Sequence, residues 1–484
     1  MDAPDQVVAL IVRTDGDPTP HLARFSEVGL EVGHKFGLLP GVSVTGRAEA
    51  ALSLLSEAWI VSMEEDRPVT AMRRGEMQMG SGKMARGLPA RIGAAAGDQP
   101  MGIIVRHRHG VFSAQATVAN AEVTYQFHLV SATAMRIPAA EIETLSRDET
   151  VEYIWPDLPV QACLDVSVPH IQAPSVWAAG LQGEGVKISI LDTGIDTHHP
   201  DFAGRIVATA SFVGGDGRDD NGHGTHVAGI AAGSGAASDG KYRGVAPAAS
   251  LYVAKVLDAF GSGSMSSVMA GIEWAVEQGV QVINLSLGGQ GSGDGTDALS
   301  TLCDQVVRQL GVVVCTAAGN NGPDTSTIGS PGCARWVITV GAVDDTDKTT
   351  TFSSRGPTSD GRVKPDLAFP GAGIVSAQAG GTSLGSPVAP GYVQMSGTSM
   401  ATPHATGTVA LLLQARPDLK PDEAKRALLA TSVALDESPN DHGSGLGDVF
   451  AAYQRVVTPQ PPQIPTLPTC PAWLERLLRL IGLG

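Results

Sequence analysis

Five apolar, β-branched runs constrain this chain more than any other feature of its sequence. VKISILDTG, ASLYVAKVLD, VQVINLSLG, VVVCTAAGN and WVITVGA are all short, and each runs into Gly, Asp or Asn. Helical patterns such as SSVMAGIEWAVEQG and TLCDQVVRQLG lie between them. A strand that is apolar on both faces must be covered on both faces. Alternation of such strands with helices therefore predicts an α/β fold, with a mostly parallel central sheet between two helical layers, over residues 165–457. Ligand chemistry in such folds collects beyond the carboxyl ends of the strands, where those Gly, Asn and Asp residues fall. MATPHATGTVALLLQARPD reads as a long apolar helix stopped at Arg416-Pro417, and LKPDEAKRALLATS as an amphipathic one.

The N-terminal region has a different texture. VVALIVRT (7–14) reads as a strand, PHLARFSEVG (20–29) as a helix, and EVGHKFG and GVSVTG as strands. RAEAALSLLSEA (47–58) reads as a helix and WIVSMEED (59–66) as a strand. This βαββαβ order predicts a small α+β module over 1–70. Residues 71–100 lack periodicity and are rich in Gly, Ala and Arg, which reads as a linker. Within 101–164, VTYQFHLVS reads as a strand, IPAAEIETLSRD (137–148) as a helix and VEYIWPD as a strand. AWIVSMEEDRPV (58–69) aligns with ETVEYIWPDLPV (149–160), so this region is either a degenerate second copy or a chance likeness of two short helix–strand units. A Pro-rich linker (458–470) leads into a short amphipathic helix (471–484), read as docking on its own domain.

Composition narrows the function. The net charge is −16, with 33 basic against 49 acidic residues and no basic run, which argues against a nucleic-acid surface. No apolar stretch has the length of a membrane span. The start MDAPDQVVALIVRTDGD reads as a strand, not an export leader, and the five cysteines are odd in number, widely spaced and without a CxxC pair. Both features lead us to expect a cytoplasmic protein, with export by a route not visible in the sequence as the alternative.

Three residues sit in Gly-rich turns at element boundaries: Asp192 in ISILDTGID, His223 in DDNGHGTHVAGI and Ser399 in GTSMATPH. Singly, each has a structural explanation: a turn cap, a satisfied loop histidine and a helix cap. Together they supply what a serine nucleophile needs, namely a base to take its proton and an acid to orient that base.

DTGID, NGHGTHVAG and GTSMATPHATG resemble the three catalytic motifs of the subtilisin-like serine proteases, in that family's order Asp, His, Ser. The likeness runs from about 165 to 455 and includes YRGVAPAASLYVAKVLDAFGSGS, GIEWAVEQGVQVINLSLGG, TAAGNNGP and the pair ITVGAV and FSSRGP. The resemblance implies a three-layer subtilisin-like domain that cuts polypeptides through an acyl-enzyme on Ser399, with His223 as base and Asp192 as its partner. Asn320 and the Ser399 N–H would hold the oxyanion. Substrate would pair with Gly261, Ser262, Gly263, Ser286, Leu287 and Gly288, and Ala318 and Gly319 would line the pocket before the scissile bond. That pocket reads as open and apolar. The N-terminal modules resemble the family's propeptide, an intramolecular inhibitor, with cleavage expected in 157–168. A silent scaffold and a transpeptidase on the same fold are the competing functions.

No cofactor is required for this chemistry, although a structural Ca²⁺ is typical of the family and Asp201 matches a position that often ligates it. The partner loop SGAASDGKYRG departs from the family pattern. Asp216, Asp219 and Asp220 read as a solvated acidic loop, and His107 and His109 as an exposed strand face. Cys303 and Cys315 read as buried free thiols, and GGTSLGSPVAPGYVQ as an insertion near the leaving-group side.

Overall fold

Each of the five apolar runs forms a strand of one parallel sheet. The structure, a computed structural model, describes residues 6–55, 57–71, 84, 92, 100–108, 122–127, 132–156 and 164–458. The sheet order is Ile206–Ser211, Ser250–Lys255, Lys187–Asp192, Val282–Leu285, Val313–Ala317, Ile338–Val343, Leu367–Pro370, all parallel. Lys187–Asp192 has a partner on each side, so its apolar residues Ile188, Ile190 and Leu191 are fully buried. On one face the sheet packs against the helices His223–Ala232 and Thr398–Ala415. On the other it packs against Met265–Glu277 and Ala298–Leu310. Among the described residues no helix is long and apolar enough to cross a membrane.

The N-terminal region forms two four-stranded antiparallel sheets of the same topology. The first has the order Glu31–Phe36, Gly41–Arg47, Val7–Thr14, Ile60–Glu65, and the second Glu122–Phe127, Ala132–Pro138, Pro100–His107, Val151–Pro156. Their irregularities also correspond. The pairing of the first and last strands shifts at Arg13/Thr14 in one sheet and at Arg106/His107 in the other. Two strands of the second sheet, Pro100–His107 and Ala132–Pro138, are absent from the sequence reading; ATAMRIP has too few alternating apolar positions to signal a strand. Of the HxH pair, His107 ends the strand Pro100–His107 and His109 lies outside the described residues, as do 459–484 with the Pro-rich linker and terminal helix, most of the 71–100 linker, and Cys163 and Cys470.

The first module is docked on the catalytic domain. Ile11, Phe36 and Leu39 join the core formed by Met265, Met269, Leu302 and Val306 of the two outer helices. Glu273 accepts from the backbone N–H of Gly37 (2.7 Å) and Leu38 (2.8 Å) and faces His34 Nε2 at 3.2 Å, while Gln305 Nε2 donates to the Leu38 carbonyl at 2.6 Å.

Candidate active site

Asp192 ends the strand Lys187–Asp192 and is fully buried. Its Oδ1 accepts from His223 Nδ1 at 2.7 Å and from the Thr193 N–H at 2.7 Å, which fixes the imidazole with Nε2 facing away. His223 opens its helix after Gly222, whose φ of 107° lies in the region that favours glycine. Gly224 is required for a different reason: a Cβ there would collide with the Gly194 carbonyl.

Asp219 shapes the turn that carries His223, and the reading of it as solvated is wrong. It is buried and accepts from the Gly222 N–H (2.7 Å), the Thr225 N–H (2.8 Å), Thr225 Oγ1 (2.6 Å) and Thr193 Oγ1 (2.8 Å). A carboxylate with that many donors can be buried, and a run of three Asp in the sequence cannot reveal which one has them. Asp220 meets the buried Lys255 at 2.6 Å but keeps its own side chain exposed, so Asp216 and Asp220 both remain at the surface.

Ser399 is the second residue of the helix Thr398–Ala415, buried at its positively polarised end. Its hydroxyl donates to the Ser286 carbonyl at 2.9 Å in this form, and His223 Nε2 has no hydrogen-bond partner among the described residues. Asn320 lies beyond the end of the strand Val313–Ala317. Its Oδ1 accepts from the Thr398 N–H and Oγ1, both at 3.0 Å, so the amide is oriented while its buried Nδ2 has no acceptor among the described residues. A fixed, unspent donor beside a serine hydroxyl is what a developing oxyanion needs.

A strand of the chain itself runs along this site. Pro68–Ala71 is sandwiched antiparallel between Ser262–Ser264 and Leu287–Gly288, with Val69 opposite Gly263, Thr70 opposite Ser262 and Gly288, and Ala71 opposite Leu287. The Ala71 N–H donates to the Gly261 carbonyl at 3.0 Å. Five of the eight residues expected to bind substrate thus hold this strand. Ser286 instead faces Ser399, and Ala318 and Gly319 lead into Asn320 without pairing to the strand. The expected occupant, a tail within 157–168, is not the one present: the strand comes from the first module. The sequence reading missed it because four residues carry no periodicity and their partners lie far along the chain.

The carry-over of Asp201 as a calcium ligand does not fit the donor set. Both carboxylate oxygens accept from Tyr392 Oη at 2.9 Å, and Oδ1 accepts from the Ala237 N–H at 3.0 Å. The groups around Asp201 are hydrogen donors, whereas a hard cation needs six or more oxygens. Among the described residues there is also no group of three or more His, Cys, Asp or Glu suited to a metal. Tyr392 comes from the insertion, which forms the strands Ser386–Ala389 and Tyr392–Met395. The same insertion brings Thr382 against Gly222, next to His223. Cys303, Cys315 and Cys333 are free and buried, and burial pushes their thiols upward, Cys315 to about 12.

A buried Asp–His pair, a serine at a helix N-terminus and a spare amide donor, gathered at the strand ends of a parallel sheet, define a serine hydrolase of the Asp–His–Ser class. Residues 183–447 match the model of the subtilase family, Peptidase S8, and residues 99–162 match Peptidase inhibitor I9. Serine protease AprX of Bacillus subtilis (strain 168) is 41% identical over 341 residues, covering 64% of this chain and 75% of that protein. Subtilisin E of the same strain is 38% identical over 342 residues (69% and 83%), and M-protease of Shouchella clausii (strain KSM-K16) 36% over 340 residues (68% and 81%). The chain belongs to the subtilase family. It is a subtilisin-like serine endopeptidase with an N-terminal inhibitor region, the organisation of an autoinhibited zymogen.

Proposed function

We propose that Ser399 is the nucleophile, His223 its general base and then acid, and Asp192 the group that orients the imidazole and stabilises its cation. The observation that carries this is the strand Pro68–Ala71, which lies as an extended peptide between Gly261–Ser264 and Leu287–Gly288 and heads toward Ser399. The Ser399 hydroxyl turns from the Ser286 carbonyl to His223 Nε2, loses its proton and attacks the carbonyl of the bound peptide. The Asn320 Nδ2–H and the Ser399 N–H receive the oxyanion, and His223 returns the proton to the leaving amine. Water then repeats the sequence on the acyl-enzyme. The main-chain ladder tolerates many sequences, so selectivity falls to the pockets, of which the Gly- and Ala-lined one beside Ala318 and Gly319 suits uncharged side chains.

In the zymogen the first bond offered to Ser399 lies on the C-terminal side of Ala71. The three buried free thiols support a reducing, cytoplasmic compartment. The test is intact mass and N-terminal sequencing of wild type beside Ser399→Ala, each with a protein substrate. Wild type should cut the substrate, leave products whose summed mass exceeds the substrate's by one water per bond cut, and acquire a new N-terminus within a few residues of Ala71. A mutant that is shortened in the same way, or products that have gained an amine in place of water, would contradict the assignment.

A further inference from the structure

The two N-terminal modules share more than topology. The first strands begin 93 residues apart, at Val7 and Pro100, and the four later elements 91 apart: Glu31 and Glu122, Gly41 and Ala132, Ala48 and Ala139, Ile60 and Val151. The same offset carries the cleft strand and the residues before it, Asp66-Arg67-Pro68-Val69-Thr70-Ala71, onto Asp157-Leu158-Pro159-Val160-Gln161-Ala162. The pattern Asp-x-Pro-Val-x-Ala is common to both.

What the structure does with the first copy explains which positions agree. Asp66 accepts from the N–H of Ser266 at 2.9 Å and from its hydroxyl, at the positive end of the helix Met265–Glu277. Val69 and Ala71 are buried in the cleft, Val69 at 1% exposure. Arg67 and Thr70, the two positions that differ, are exposed. The docking strand repeats as well: EVGHKF (31–36) becomes EVTYQF (122–127), so Phe36, which packs on the outer helices, has its counterpart in Phe127. The match to the inhibitor family covers the second copy and ends at Ala162, the position equivalent to Ala71. Yet among the described residues no strand of that copy pairs with the catalytic domain, and the cleft is held by the first.

We propose that residues 159–162 are a second occupant of the same cleft, so that one active site is guarded by two tandem inhibitors and loss of the first seats the second. The proposal rests on the cleft being the substrate site. Its physical basis is that the contacts made by Asp66, Val69 and Ala71 are available again in Asp157, Val160 and Ala162. Exchange has a structural requirement. Residue 162 is followed closely by the helix Leu164–His170, anchored by Ser167 Oγ to His404 Nε2 at 2.9 Å and by the buried Val168. That helix must release for the second tail to reach the cleft. Removing the first module therefore leaves the enzyme inhibited, with its entry helix undocked.

The experiment is amide hydrogen exchange on the full chain in the Ser399→Ala background, so that its outcome does not depend on catalytic activity. Phe36→Asp with Val69→Arg disables the first copy, Phe127→Asp with Val160→Arg the second, and all four changes disable both. Protection of Ser262–Ser264 and Leu287–Gly288 should stay within roughly tenfold of the parent in either two-site variant and fall by about 100-fold or more in the four-site variant. In the first-copy variant 164–170 should exchange faster. Amides of Leu10–Val12, in the first module's own core, report whether that module still folds. Cleft protection lost on disabling the first copy alone overturns the proposal, as does cleft protection retained with 164–170 unchanged.

Discussion

Pro403 stands four residues after Ser399 and has no N–H to donate to the Ser399 carbonyl, which the helix would otherwise bond. Ser286 Oγ takes that carbonyl at 2.9 Å, and Ser399 Oγ donates back to the Ser286 carbonyl at 2.9 Å. The proline thus frees one backbone acceptor that ties the nucleophile's helix to the wall of the substrate cleft.

Ser286→Ala should expose the value of that tie. It leaves the Ser399 carbonyl buried without a donor, and the expected loss of stability is about 1–3 kcal/mol. Denaturant unfolding in the Ser399→Ala background measures it free of self-digestion. A change below a few tenths of a kcal/mol would mean that another donor or water takes over.

Asn320→Ala removes the side-chain oxyanion donor while leaving the triad in place. The expected outcome is a fall in kcat of roughly 10²–10³, the range known for the equivalent change in subtilisin, with KM little altered. Steady-state kinetics on a peptide amide distinguishes this from a packing effect, which would raise KM as well.

Two buried histidines contribute to the loss of stability in acid. Burial lowers His226 to about 3 and His404 to about 4, so the folded protein leaves both neutral where an unfolded chain, near 6.5, takes up protons. Stability should therefore fall as the pH drops below about 6.5 and flatten once the folded values are passed. His404→Gln should remove about one proton from the slope between pH 6 and 4, read from denaturant midpoints across that range. An unchanged slope would show that His404 is not the group responsible.

Chelation should leave the Asp201 region intact, because Tyr392 and the Ala237 N–H already satisfy the carboxylate. EDTA is expected not to change Tm in the Ser399→Ala protein, whereas Tyr392→Phe should cost about 1–3 kcal/mol by leaving a buried carboxylate short of a donor. A Tm lowered by EDTA would refute the reading of Asp201 as a hydrogen-bonded structural residue.

Glu64, on the docked face of the first module, carries a pH dependence of its own. Burial and the nearby Asp297 carboxylate raise its affinity for a proton, against the pull of the Ala298 N–H and of Arg13 and Arg67. A group raised in the docked state favours docking at low pH and loses that contribution as the pH rises through its raised value. In wild type after the first cut, the first module should leave more slowly at pH 4 than at pH 7, and Glu64→Gln should flatten that difference in release rate measured by size exclusion.

Much of this was open to reading along the chain. Continuous apolar runs ending in Gly, Asp or Asn can only be buried parallel strands, so the central sheet and the ends where chemistry gathers follow from local composition. Asp192, His223 and Ser399 stand in glycine-rich motifs because backbone must pass close by, as it does at Gly224. The 91-residue repeat was visible at AWIVSMEEDRPV and ETVEYIWPDLPV for the same reason: each stretch carries its own pattern. Contacts between distant segments decided the rest. Asp219 differs from Asp216 only in the donors that fold onto it, and Asp201 ceases to be a cation ligand because Tyr392 arrives from an insertion late in the chain. Above all, two copies with the same tail compete for one cleft. Their sequences make both fit, and which of them occupies it depends on the free energy of docking a whole module, a property of the assembled surface and not of the tail alone.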